Sequence, residues 1–222
     1  MIKMENKFEN FCSIIEKLRA PDGCPWDREQ THKTLAKCLI EEAYEAHDAL
    51  MDNEPKKMAD ELGDVLLQVV MNAQIGKEEH TFDIEDVIDA VTEKMIVRHP
   101  HVFGDMKGVE NAEQVLENWD KIKRDGRGQK KVYQSMESIT KSLPALLKCD
   151  KIIDKALKLG IDIADVAGVE KIESQDADSD RVASLIFSAC ILARQKNIDS
   201  EQCLDAFLNN FITQIKNIEE NT

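Results

Sequence analysis

TLAKCLIEEAYEAHDALMDNEPKKMADELGDVLLQVVMNA, residues 34–73, decides the fold. Leu35, Cys38, Leu39, Ala46 and Ala49 recur every three or four residues, so a helix from about 31 to 50 carries one apolar face. Asp52-Asn53-Glu54-Pro55 reads as a turn, and Pro55 suits the first position of the helix that follows. That helix places Met58, Leu62, Val65, Leu66, Val69 and Ala73 on its own stripe. So short a connection makes the two helices antiparallel neighbours. Acids sit where apolar residues are expected. Glu42 and Glu45 continue the first stripe, and Glu61 and Asp64, also three apart, border the second. Solvated glutamates belong on the opposite face of such a helix. The two acidic pairs are therefore expected to converge.

Four carboxylates in a half-buried cleft raise one another's pKa unless a cation sits among them. Oxygen-only ligands select hard cations, and Mg²⁺ keeps positions open for water and substrate phosphates; Mn²⁺ is a possible substitute. Any one of these acids alone suits a solvated helix surface. The set Glu41-Glu42-x-x-Glu45 followed by Glu61-x-x-Asp64 does not. A di-iron bundle needs Glu-x-x-His on two helices. Here Tyr44 and Lys77 stand three residues before His47 and His80, and the rival fails on spacing.

Working outward, Phe8, Phe11, Ile15 and Leu18 mark an amphipathic opening helix. The segment 20–27, with Pro21, Gly23 and Pro25, breaks it. A fourth helix from about Asp83 aligns Ile84, Val87, Val91 and Met95 and stops before Pro100. A fifth holds Val115, Trp119 and Ile122. Residues 125–131, polar and glycine-bearing, are the expected linker between a domain at 1–124 and a second at 132–222. Helices are expected near 143–159, 181–197 and 200–218, with a polar loop at 173–180. No segment alternates like a strand. The architecture expected is all-α.

Composition agrees. The chain has 222 residues, 42% hydrophobic and 32% charged, with only 9 glycines and 5 prolines. Such a balance suits folded helical domains rather than disorder or a turn-rich β protein. Its net charge of −14 argues against general nucleic-acid binding. A small phosphorylated ligand stays compatible, because a bound cation reverses the field locally. The six cysteines form no CxxC pair and read as buried thiols of a reducing compartment. No signal peptide or membrane-length apolar run is evident, so a cytoplasmic protein without membrane partners is expected.

Further groups suit an anionic substrate. Lys94 and Arg98, spaced i and i+4 on the line of Ile84, Val87 and Val91, suit a phosphate clamp. They equally suit side chains that snorkel or complement a helix C-terminus. Trp119 and Lys123 repeat the spacing and suit a stacking surface with a nearby cation; Trp119 suits the core as well. His99 and His101 flank Pro100 at a helix stop and are not expected as ligands of a hard cation.

Together these residues resemble the MazG family of nucleoside triphosphate pyrophosphohydrolases. The matching pieces are Leu18-Arg19-Ala20-Pro21-Asp22-Gly23-Cys24-Pro25-Trp26-Asp27, Glu41-Glu42-Ala43-Tyr44-Glu45 and Asp60-Glu61-Leu62-Gly63-Asp64-Val65-Leu66. Arg98-His99-Pro100-His101-Val102-Phe103-Gly104-Asp105 and Trp119-Asp120-Lys121-Ile122-Lys123 complete the match. The resemblance covers about residues 5–130. It implies an all-α fold, a homodimer or higher assembly, Mg²⁺, and cleavage of nucleoside triphosphates to monophosphate and pyrophosphate. It puts metal binding on Glu42, Glu45, Glu61 and Asp64, with Glu41 as a supporting acid, and nucleotide contacts on Lys94, Arg98, Trp119 and Lys123; the catalytic group expected to orient or deprotonate the attacking water is Glu41 or Glu45.

Long members of that family carry two such domains in tandem, and a damaged second copy is recognisable here. Residues 184–194 parallel 64–74, and Leu204-Asp205-Ala206 parallels Ile88-Asp89-Ala90. In that register Arg181 stands at the place of Glu61, Ser184 at that of Asp64 and Asn210 at that of Lys94. Only Val169-Glu170-Lys171-Ile172-Glu173 precedes them, with no second acidic pair. Activity is expected from the first copy alone. The alternative is a catalytically weak nucleotide-binding regulator or a protein-interaction module.

Overall fold

In a computed structural model, residues 6–126, 128, 132–158 and 178–220 are described. The expected segments Gln129-Lys130-Lys131 and Val169-Glu170-Lys171-Ile172-Glu173 lie outside them. By its internal contacts the chain divides into two units, Met1–Val109 and Glu110–Thr222. All regular structure among the described residues is helical.

The first unit is built on the antiparallel pair α3 (His32–Asp52) and α4 (Pro55–Glu78). Thr31 starts α3 with a reciprocal cap: its hydroxyl accepts from the Thr34 amide at 3.2 Å, and the Thr34 hydroxyl accepts from the Thr31 amide at 2.9 Å. Asn53 ends α3 with φ 55°, the left-handed conformation asparagine tolerates at a helix stop. Pro55 then opens α4, where its missing N–H costs nothing. Helix α1 (Lys7–Arg19) lies against α4, as does α5 (Ile84–Arg98), and α6 (Pro100–Phe103) follows α5. Asp83 begins α5 by accepting from the amides of Glu85 and Asp86.

The core explains which part of the α3–α4 pair is covered. Ile15 of α1, Leu35 of α3 and Val70, Met71 and Ile75 of α4 are buried together, with Phe8, Phe11, Leu18, Leu67 and Ile84 packed on them. All of these lie toward the end of the pair remote from its turn. Nearer the turn, Leu39, Ile40 and Tyr44 of α3 and Leu62 and Leu66 of α4 are exposed, Leu62 by 49%. Ala46 and Ala49 of the expected α3 stripe are buried near the turn as well, so the exposure there falls on the larger side chains.

The segment 20–27 breaks the first helix as expected, ending α1 at Arg19. It contains the start of α2 (Pro25–Glu29), a short helix begun by Pro25. Arg19, whose side chain is 6% exposed, fastens this corner. Its guanidinium holds Glu78 at the end of α4 through Nε to Oε1 (3.0 Å) and a terminal nitrogen to Oε2 (2.8 Å). It also donates to the carbonyls of Asp27 and Gln30. Glycine is required at 23, since a Cβ there would collide with the Leu18 carbonyl oxygen and stand 2.5 Å from that of Lys17. Gly76 similarly admits Phe82, whose carbonyl oxygen would lie 2.6 Å from an added Cβ.

In the second unit, α7 (Ala112–Gly126) runs through Asp125 and Gly126, which are expected in the linker. Helix α8 (Val132–Glu137) has no counterpart in the sequence reading, being too short for a period to show. Helices α9 (Ala145–Lys158), α10 (Asp178–Gln195) and α11 (Ser200–Glu220) pack on one another. The residues 178–180, expected in a loop, open α10. Ile153, Ala156 and Cys190 form a small core with Cys149 and Phe187 against it. Arg194 of α10 pairs with Asp150 at 3.5 Å and with Asp154 of α9. The cysteines also depart from expectation. Only Cys190 is fully buried, Cys203 is exposed, and the other four are half-buried. Burial and the hydrogen bond with Cys190 push the Cys149 thiol up to about 12.

Candidate active site

The register of the α3–α4 pair assembles the acids. His32 Nδ1 meets Asn72 Oδ1 at 2.8 Å. Ten residues further along α3 and eleven back along α4, Glu42 faces Glu61. One carboxylate oxygen from each of Glu42, Glu45 and Glu61 lies within 4.8 Å of the others. Glu42 and Glu61 are half-buried and Glu45 is exposed. Among the described residues, no other group of three histidine, cysteine or acidic side chains comes this close.

Asp64, three residues past Glu61, is exposed and stands outside that tight trio. It belongs to the same electrostatic site. Burial pushes the Glu42 carboxyl above its ordinary 4.5, and the charges of Asp64, Glu45, Glu61 and Glu41 push it further, in that order. Three of the four acids named from the sequence thus come together, and the fourth, Asp64, acts on Glu42 through its charge. Glu41 is placed differently. It is exposed and paired with Lys37 at 2.9 Å, one turn earlier on α3.

A carboxylate held above its usual range by burial and by neighbouring charges is a site where a cation would relieve repulsion. The donors are oxygens alone, with no histidine or cysteine in the trio, and so fit a hard divalent ion. Three carboxylates also leave coordination positions open for water or phosphate oxygens.

Residues 30–103 match the MazG nucleotide pyrophosphohydrolase domain. The nucleoside triphosphate pyrophosphohydrolase/pyrophosphatase MazG of Thermotoga maritima is 42% identical over 96% of this chain and 86% of its own length. This chain belongs to the MazG family. The nucleoside triphosphate pyrophosphohydrolase of Escherichia coli is 33% identical, over 96% of this chain and 88% of that protein. The crystal structure of a mazG-related protein from Thermotoga maritima aligns with 52% of this chain and 98% of that one, at 28% identity and a TM-score of 0.44.

The matched MazG domain spans both acidic pairs and extends through α5 and α6. Lys94 is exposed and Arg98 half-buried, both on α5. His99 Nδ1 lies 2.6 Å from the Met95 carbonyl oxygen, so its proton is committed to closing α5. His101 packs its ring 5.7 Å from that of His99. Trp119 and Lys123, the remaining sites named from the sequence, lie half-buried on α7 in the second unit.

Two features escape sequence reading. Arg19 enters it only as part of a motif, yet the side chain holds α1, α2 and α4 together. A base one residue past the apolar Leu18 carries no signal of its own. Only the following Pro21-Asp22-Gly23-Cys24-Pro25 hints that something must fasten the corner. Gln68, on the covered stripe of α4, is 6% exposed. A glutamine amid Val65, Leu66, Leu67, Val69 and Val70 is the available signal.

Proposed function

We propose that this MazG-family enzyme hydrolyses nucleoside triphosphates to nucleoside monophosphate and pyrophosphate in the presence of Mg²⁺, the ion being held by Glu42, Glu45, Glu61 and Asp64. The observation that carries the reading is the convergence of Glu42 and Glu45 from α3 with Glu61 from α4, beside Asp64, whose charge also acts on the raised Glu42 carboxyl. Bound there, Mg²⁺ would neutralise triphosphate oxygens and lower the pKa of a coordinated water. The protein's own groups supply the rest. Glu45, exposed beside Glu42 and Glu61, is placed to orient or deprotonate the attacking water. The pairing of Glu41 with Lys37 favours Glu45 over Glu41 for that role. Lys94 and Arg98 are assigned to the negative charge of the leaving pyrophosphate, and Trp119 and Lys123 to the nucleoside.

Two further assignments belong to this reading. The exposed stripe of Leu39, Ile40, Leu62 and Leu66 beside the acids suits a homodimer, in which a second copy would cover it. The second unit suits a degenerate second MazG copy. Cys190, 2% exposed, stands in the register of the equally buried Val70. Asp199 accepts from the Gln202 amide at the start of α11, as Asp83 does from Asp86 at the start of α5. Arg181 at the place of Glu61 pairs with Asp178 at 3.7 Å, which suits a copy without a cation site.

The test is a panel of ribo- and deoxyribonucleoside triphosphates with Mg²⁺ or with EDTA, with products resolved by ion exchange. Monophosphate and pyrophosphate should appear only with the cation. Diphosphate and phosphate as products, or equal turnover in EDTA, would contradict the proposal.

A further inference from the structure

We propose that α11 of the second unit pairs with α11 of a second copy of this chain, the two helices running antiparallel and crossing at Leu208 and Asn209. This contact is separate from the α3–α4 stripe and does not depend on the hydrolysis reading. Every residue of α11 from Glu201 to Gln214 is exposed, although the helix touches both α9 and α10. Leu204, Phe207, Leu208, Phe211 and Ile212 are 46%, 64%, 48%, 52% and 63% exposed.

Those five side chains share one face. At about 100° per residue they fall within an arc of about 140°, the width of a stripe that packs on another element. Intrinsic propensity does not hold such a helix together. Residues 207–213 include two phenylalanines, two asparagines, an isoleucine and a threonine, all weaker helix formers than leucine. A helix of that composition owes its stability to the packing of its apolar face. The register read from the sequence points the same way. Phe207, Leu208 and Phe211 stand at the places of Val91, Thr92 and Met95 of α5, and Asn210 at that of Lys94. Where α5 carries a base suited to phosphate, α11 carries a neutral residue and larger apolar side chains around it.

A second copy is the occupant that fits this face. Residues 206–214 carry no charge, so a charged partner finds nothing there to pair with. Glu201 and Asp205 stand in the first two turns of α11. A parallel pair would set each acid beside its own equivalent and align the two helix dipoles, both unfavourable. An antiparallel pair lays apolar middle on apolar middle and moves the acids to opposite ends. The area suffices as well. Half of a large apolar side chain is about 100 Å², so five of them give about 500 Å² per copy and about 1,000 Å² for the pair, the least that a specific interface needs. A contact that uses the same patch on both copies closes on itself, so it ends at a dimer.

Crossing at Leu208 and Asn209 sets the exposed Cys203 of one copy opposite Gln214 of the other, and both positions border the stripe on the same side. The test is oxidation by diamide of the full chain carrying Gln214→Cys, read by non-reducing electrophoresis and by mass spectrometry of the linked peptides. A covalent dimer should form between Cys203 of one copy and the thiol introduced at position 214 of the other. Within one helix these positions are about 16 Å apart, too far to bridge. Adding Phe207→Glu and Phe211→Glu should lower the yield at least about tenfold, the effect of removing two aromatic anchors from an interface. No dimer through these two positions, or a dimer linked through Cys203 of both copies, would overturn the proposal. So would an unchanged yield in the glutamate variant, because the thiols would then be meeting by collision. The readout is a covalent link rather than turnover, so failure here is distinguishable from failure of the hydrolysis reading.

Discussion

Glu42 is the residue on which the account turns, because burial and four neighbouring acids act on it at once. Its folded carboxyl binds a proton more tightly than the unfolded one, whose ordinary value is 4.5. Between the two values the folded state holds more protons, so stability contributed at this site falls as pH rises through that window. A divalent cation competes with that proton and replaces its effect once the carboxyl ionises. Melting temperatures measured with EDTA and with Mg²⁺ from pH 4.5 to 7.5 should therefore diverge as pH rises, with the larger gain at neutral pH. In Glu42→Gln the divergence should shrink. A Mg²⁺ gain that is the same at every pH would show that Glu42 does not sense the ion.

At the scale of elements, the pair α3–α4 was legible because its apolar period, its turn and its proline agree. The placement of both acidic pairs followed from the same period. The corner between α1 and α3 was not legible, since its order comes from one side chain reaching across 59 positions in sequence, from Arg19 to Glu78. The charge pair is partly solvent-screened at Glu78, 38% exposed, but Arg19 is buried and also serves two carbonyls. Arg19→Ala should cost about 2 kcal/mol, the scale of lost hydrogen bonds to a charged group. Chemical denaturation of the full chain measures it. Arg19 also holds Glu78 below its usual carboxylate range, so this contribution is present above pH 4.5 and is lost as pH falls through the lowered value. Gly23→Ala should destabilise as well, because its Cβ meets backbone rather than a movable side chain. Short helices α2, α6 and α8 went unread for the opposite reason: one turn offers no period.

For the whole molecule, two helical halves are readable along the chain, and the structure divides it into two units ahead of α7 rather than after it. The proposed difference in function between the halves rests on chemistry rather than on packing. Acids meet on α3 and α4, whereas α10 carries Arg181 and Ser184 at the positions that the sequence reading aligns with Glu61 and Asp64. Expressed separately, residues 132–222 should be inert toward every nucleotide, and hydrolysis by them would place a second active site there. The claim that all turnover belongs to the α3–α4 cluster is tested most directly by one substitution in the intact chain. Steady-state hydrolysis by Glu61→Gln, at saturating Mg²⁺ and with folding checked by circular dichroism, should fall at least about 10²-fold below wild type, the scale of a lost electrostatic contact in the transition state. A folded Glu61→Gln protein that turns over near the wild-type rate would contradict the account.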